Sequence, residues 1–366
     1  MTFGEENPLS TLLSRQLGVD YPIFGFSHSL DVVVEICRAG GVGVLGATRM
    51  TSAEIIEALV AIRSRVDDRP FGVDLVLPNG MPERDDRAAI EAGIPDAHRD
   101  FGAGLAERHG VPQATGPGMR SRFVRSKQTA ASQIDAVLAS DVDLFAMGIG
   151  SPTGVIDRAR AEGKRIVSLV GRPDHARRAI AAGAEIIVAQ GYDAGAHTGT
   201  IGTFSLVPQV VDAAGGLPVL AAGGVATGRP VAAAYAMGAV GVWLGTAWLV
   251  TEEAHTDPLV LAKLLAAGSE DTVISRADSG KTLRQVRSAW SDEWSAPGTP
   301  APLRMPYQDI LVGDLLGAID TNRVESLMHS PAGQSIAYFL HPSRVKDVME
   351  TLVTDAVAVM REMRTR

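Results

Sequence analysis

The sequence predicts an α/β protein built as a (β/α)8 barrel, and three observations carry that reading. Eight short apolar runs, rich in Val and Ile, recur along the 366 residues. Segments with apolar residues at helical spacing separate most of them. No G-x-G-x-x-G follows the first run, which counts against the main alternative, a doubly wound open sheet.

The first run is "YPIFGF", residues 21–26. A helix is expected over 31–39; it carries Cys37, the single cysteine, read as a small core residue. One cysteine excludes a disulfide within the chain and argues against a cysteine metal site. The second run is 41–45. Thr51-x-x-Glu54 then reads as a capping box, opening a helix with Ile55, Leu59 and Ile62 on one face. The remaining runs are 71–77, 144–147, 165–170, 185–189, 219–222 and 241–244.

Two stretches break the rhythm. Residues 78–128 are polar and carry Pro82, Pro95, Pro112 and Pro117, so they read as an insertion after the third strand, with a short helix near 97–109. Residues 1–250 are thus expected to form the barrel and 251–366 a helical cap or lid completing it. That tail is loop-rich around Trp290, Trp294, Pro297 and Pro300. It ends in an amphipathic helix over 343–363, with Val345, Val348, Leu352 and Val359 on one stripe.

Charge narrows the partners. Lys+Arg number 34 and Asp+Glu 42, a net charge of −8, and no basic region is dense enough to suggest nucleic acid. Arg120, Arg122, Arg125 and Lys127 form one local cluster, read as a solvated face, with contact to an anionic ligand as the alternative. The N-terminal stretch, with Glu5 and Glu6, has no long apolar segment. Neither a signal peptide nor a membrane span is expected, and the cytoplasm is the expected compartment. No His/Asp/Glu spacing suggests a metal site. Assembly into a homo-oligomer stays open.

In a barrel of this kind ligands gather at the C-terminal ends of the strands. Gly223-Gly224 follows the seventh strand and Gly245-Thr246 the eighth. Paired glycines let a backbone approach a ligand and aim N–H groups at an anion, and these neighbouring loops are the usual phosphate site of such barrels. Tight turns alone would explain the same glycines. A flavin mononucleotide, a sugar phosphate and a nucleotide all satisfy such a site. After the sixth strand comes "AQGYDAGAHTG", residues 189–199, a polar, glycine-rich loop with one imidazole, His197. His197 is either a residue that ties the loop to itself or a base facing a ligand. His28, after the first strand, has the same two readings. Tyr192 is a candidate pocket wall, and Asp193 either shares that role or caps the following helix. The other six histidines, His98, His109, His175, His255, His329 and His341, read as surface residues.

"PVLAAGGVATGRPVAAAYAMGAVGVWLGTAWL", residues 218–249, resembles the flavin-phosphate segment of the nitronate monooxygenase family, also known as 2-nitropropane dioxygenases. "AQGYDAGAHTG" is similar to that family's A-Q-G-x-E-A-G-G-H-x-G signature. "PFGVDLVLP", residues 70–78, resembles its P-F-G-V-N-x-x-x-P strand, and "SGKTLRQVR", residues 279–287, its region after the barrel. The resemblance implies an FMN cofactor. Gln190 and Gly195 would face the flavin, and Gly223, Gly224, Gly245 and Thr246 would hold its phosphate. Asp74 would lie near the ring, and the main chain around Gly25 and Phe26 against it. His197 would be the base. The implied reaction is oxidation of a nitronate or nitroalkane by O2 to a carbonyl compound plus nitrite.

The sequence departs from the family in places. The usual A-P-M end of the first strand is Gly25-Phe26-Ser27 here, followed by His28; Asp74 replaces an asparagine, Asp193 a glutamate and Ala196 a glycine. A flavin-dependent NAD(P)H reductase acting on an enoyl thioester or a quinone, and a non-catalytic flavin-binding protein, are the alternatives the same residues allow.

Overall fold

A computed structural model describes residues 7–150 and 152–365. The first six residues, with Glu5 and Glu6, lie outside the described residues. Eight parallel strands close into a barrel: β1 (Ile23–Ser27), β2 (Val42–Gly46), β3 (Gly72–Val76), β4 (Leu144–Gly148), β5 (Arg165–Val170), β6 (Ile186–Gln190), β8 (Val219–Ala222) and β9 (Gly241–Leu244). β9 returns to pair with β1, Phe24 opposite Trp243, so no edge is left unpaired. The strand positions agree with the sequence reading to within two residues at each end. The intervening helices, among them Leu30–Arg38 and Ser52–Val66, start as expected. Thr51 and Glu54 exchange the two hydrogen bonds of the capping box.

Alternate strand residues fill the barrel, as the two-residue period of a strand requires. Phe24, Val44, Ala146, Val188, Ala222 and Trp243 pack together inside. The opposite faces pack under the helices. Register carries this alternation up to the mouth. Asp74 pairs with Ala146, Gln190 with Ala222 and Phe26 with Val44, so all three point inward at the C-terminal end.

The segment after β9 has two destinations. Helix Val345–Thr365 joins the barrel's outer core through Val345, Val348, Met349, Leu352 and Ala356. It packs on helix Gly228–Ala236, where a Cβ on Gly228 would overlap the backbone of Ala356. The stretch before it lies instead against the insertion. Leu105 of insertion helix Asp96–Arg108 shares a buried cluster with Trp290, Trp294 and Leu316. Gly118 meets the Gly313/Gly317 face of helix Tyr307–Thr321 so closely that a Cβ on Gly118 would overlap the Gly313 carbonyl. Residues four apart lie on one helix face, and here both are glycine, so backbone packs on backbone.

One element was not anticipated. β7 (Ala196–His197), β10 (Thr272–Ser275) and β11 (Leu283–Val286) form a small antiparallel sheet in the order β10-β11-β7, with Leu283 opposite His197. Two residues carry no period, so β7 reads as loop in the sequence. No described helix is long and apolar enough to cross a membrane.

Candidate active site

The glycine loops stand where barrel phosphate sites stand. Gly223 and Gly224 have φ of 101° and 72°, a conformation that L side chains rarely adopt. A Cβ on Gly224 would meet nothing nearer than 3.9 Å, and one on Gly245 nothing within 4 Å. The backbone is therefore open at Gly224 and Gly245, as close approach of a phosphate needs, whereas a Cβ on Gly223 would come within 2.7 Å of the Thr203 hydroxyl. The Thr246 hydroxyl accepts from the Gly333 N–H at 2.9 Å, which leaves its own O–H free to donate.

Gly25 and Gly195 are glycine for a different reason. A Cβ on Gly25 would come within 2.7 Å of the Trp248 indole nitrogen, and one on Gly195 within 2.7 Å of Ala332 and Gly333. Both make room for protein. Gly333 N–H and the neighbouring Gln334 N–H, which donates to the Asp193 carbonyl at 3.0 Å, clasp the two loops together. The Asp193 carboxylate accepts from Thr203 N–H at 2.9 Å and so caps helix Thr203–Ala214. Tyr192 is 37% exposed, its ring stacked on the buried Arg284 guanidinium at 4.4 Å.

His197 stands at the mouth on β7. Gln190 Nε2 donates to its carbonyl at 2.9 Å and braces the strand. Its Nε2 lies 2.9 Å from Ser279 Oγ, which β11 brings back from 82 residues away. Burial first, then the charges of Arg125, Arg120 and Arg49, push the imidazole down to about 3, so it is neutral at physiological pH. His28 Nδ1 lies 2.8 Å from the Gly46 carbonyl and the ring meets Phe26 edge-on, with centroids 5.2 Å apart. Burial also lowers its pKa, with Arg49 and Arg120 adding to the effect. Asp74 is buried, and its Oδ2 has no hydrogen-bond partner among the described residues. Burial pushes this carboxyl up to about 7 against the pull of Arg125.

Two sequence readings are corrected. Arg120 and Arg125 are not part of a solvated face; both turn inward over the mouth, and only Lys127 of the four is exposed. The Gly118–Gly313 approach pins the loop that carries them. His329 is not a surface residue. Its side chain is 6% exposed, stacks on Trp290 and pairs with the buried Asp278 at 3.1 Å. Asp278 also accepts from Arg120 at 2.8 Å and from Trp290 Nε1 at 3.0 Å. Burial would raise the Asp278 carboxyl, but the charges of His329 and Arg120 hold it well below the usual range, and Asp278 holds the imidazolium of His329 up against the effect of burial. Arg49, Ser279, Asp278 and Asp309 went unread as site residues. The one sequence signal was that the stretch 279–287 begins at Ser279.

The nitronate monooxygenase family model matches residues 9–355. The chain belongs to that family. A Mycobacterium tuberculosis protein named "Putative monooxygenase Rv1533" is 42% identical over 315 residues, covering 84% of each chain. A Staphylococcus aureus "Probable nitronate monooxygenase" is 28% identical over 338 residues, 88% of this chain and 91% of that one. The structure of nitroalkane oxidase from Streptomyces ansochromogenes matches with a TM-score of 0.81 at 26% identity, covering 95% of this chain and 99% of that one. The protein is therefore an oxidoreductase of the nitronate monooxygenase family, and the family implies a flavin cofactor.

Proposed function

We propose that this enzyme uses FMN and O2 to oxidise alkyl nitronates, and nitroalkanes whose α-proton His197 removes, to a carbonyl compound and nitrite. The observation that carries the reading is a neutral imidazole, His197, held beside three arginines at the mouth that also bears the open glycine loops. FMN, when bound, supplies the acceptor for the electrons that leave the substrate. Gly223, Gly224, Gly245 and Thr246 would hold its phosphate, and Asp74 and Gln190, which point inward from β3 and β6, would lie toward its ring. One O2 per two nitronates balances the oxygen atoms of two carbonyl products and two nitrites.

The chain's own contribution is position and charge. A nitronate is already an anion, so the arginines favour it over the neutral nitroalkane. His197 stays unprotonated while their charge is uncompensated. Burial is the larger cause of the lowered pKa and stays, but an anionic group docked against the arginines offsets their share, so His197 becomes a better acceptor for the α-proton of a nitroalkane once that group is in place. Ser279 and the Gln190–β7 contact set the ring's orientation. The insertion together with residues 251–344 serves as the cover that keeps water out, while 345–365 completes the barrel.

The test is rapid anaerobic reduction of the flavoprotein by a neutral nitroalkane, which must first lose its α-proton, in wild type and His197→Ala, with the nitronate, which has no such proton to lose, as the control. A loss of about a hundredfold in the reduction rate, the usual scale for a proton-transfer group, is expected. An unchanged rate removes His197 from the mechanism. Heat-released flavin identified as FMN supports the cofactor assignment, and FAD contradicts it.

A further inference from the structure

Arg49, Arg120 and Arg125 line one small cavity at the barrel mouth, together with Asp309. Arg49 comes from the turn after β2, the other two from the insertion, and Asp309 from helix Tyr307–Thr321. Three separate segments therefore converge on one spot. Nε of Arg125 and Nη1 of Arg120 are sealed from solvent and have no hydrogen-bond partner among the described residues. No described carboxylate lies within ion-pair distance of Arg49 or Arg125, whereas Arg120 is paired with Asp278.

Charge does not balance there. Three guanidiniums face two carboxylates, Asp278 and Asp309. Asp278 is shared with His329, and burial pushes the Asp309 carboxyl up toward its neutral form. Lys281 is close enough for Arg125 to lower its pKa, so it adds positive charge. Asp74, beside Arg125, is also pushed toward its neutral form. Buried guanidinium N–H groups without acceptors are costly, more so because they are charged. A fold keeps them where a ligand supplies the acceptor.

We propose that these arginines are a binding subsite for an oxyanion, a carboxylate or phosphate, on the end of the substrate remote from the reacting carbon. The substrate is then an acid or phosphate ester and not a plain alkyl compound. This deepens the nitronate reading, but the subsite itself does not depend on which oxidation follows. The cavity is about 10 Å³, room for roughly one water-sized group. It therefore admits a single oxygen of the oxyanion, while the rest of the ligand lies in the mouth toward His197.

Calorimetric titration of the flavin-loaded protein with unreactive matched probes tests this. The probes are butyrate, propyl phosphate, butyramide, inorganic phosphate and chloride. Expected is saturable binding of butyrate or propyl phosphate, at least about tenfold tighter than butyramide, weakened about tenfold or more by Arg125→Met and by Arg49→Met, with part of the affinity kept in Arg125→Lys. Whichever of the two binds names the source of the oxyanion. Equal binding of butyramide, unchanged affinity in both Met variants, or binding of only the inorganic ions overturns the proposal. Thermal unfolding of each variant separates lost binding from lost folding. Arginine-dependent binding of butyrate in a protein whose flavin no nitronate reduces would defeat the nitronate reading and leave the subsite standing.

Discussion

Ser279 Oγ and His197 Nε2 lie 2.9 Å apart, joining the tip of the sixth βα loop to the strand pair that follows the barrel. With one ring nitrogen engaged, Nδ1 is the one left for substrate. Ser279→Ala therefore frees the ring to turn. The expected result is a fall in kcat of about tenfold with KM little changed, the signature of lost positioning. Steady-state kinetics on a neutral nitroalkane checks it, and restoration of the rate in Ser279→Thr separates orientation from damage to the fold.

Asp74 gives a pH signature of stability. Its carboxyl titrates near 4 when unfolded and at about 7 in the fold. The folded state thus binds the proton more tightly, and stability falls as pH rises from about 4 to 7. Asp74→Asn removes that loss. Denaturant unfolding is expected to show the variant gaining over wild type at pH 8 by up to about 4 kcal/mol, with little gain at pH 4. An equal gain at both values means that the fold does not raise the affinity of Asp74 for its proton.

Gly224→Ala isolates the phosphate loop. Space for the methyl exists, so the cost is the left-handed backbone itself, about 1–2 kcal/mol. Flavin affinity, followed by fluorescence quenching on reconstitution, is expected to fall by more than the change in stability explains. Retention of full affinity would take Gly224 out of the cofactor site.

Asp278→Asn leaves Arg120 and His329 buried without their countercharge. A loss of about 3–5 kcal/mol is expected in denaturant unfolding near pH 6, where both partners are charged. The pair's contribution fades as pH falls through the depressed pKa of Asp278, and as it rises through the raised pKa of His329. The difference between wild type and variant therefore narrows at both extremes.

The barrel was legible because its strands are buried on both faces and read as unbroken apolar runs, as 186–189 and 219–222 do. The glycine loops and His197 were legible because the turn after a barrel strand places them at the mouth. What escaped notice depends on packing between distant segments. Arg120 and Arg125 look like any charged surface stretch until Gly118 docks on Gly313 and Gly317. His329 carries no local sign that Asp278, 51 residues earlier, is buried beside it. β7 is too short for any pattern, yet it positions the one imidazole that the loop sequence had singled out.

The most direct test of the central claim is anaerobic mixing of the flavin-loaded protein with a nitronate in one experiment and with NADPH or NADH in another, following the visible flavin bands. Bleaching by the nitronate, with nitrite and carbonyl compound released when air is readmitted, is the expected result. Bleaching by the nicotinamide alone, with the nitronate inert, would contradict it and make the protein a reductase.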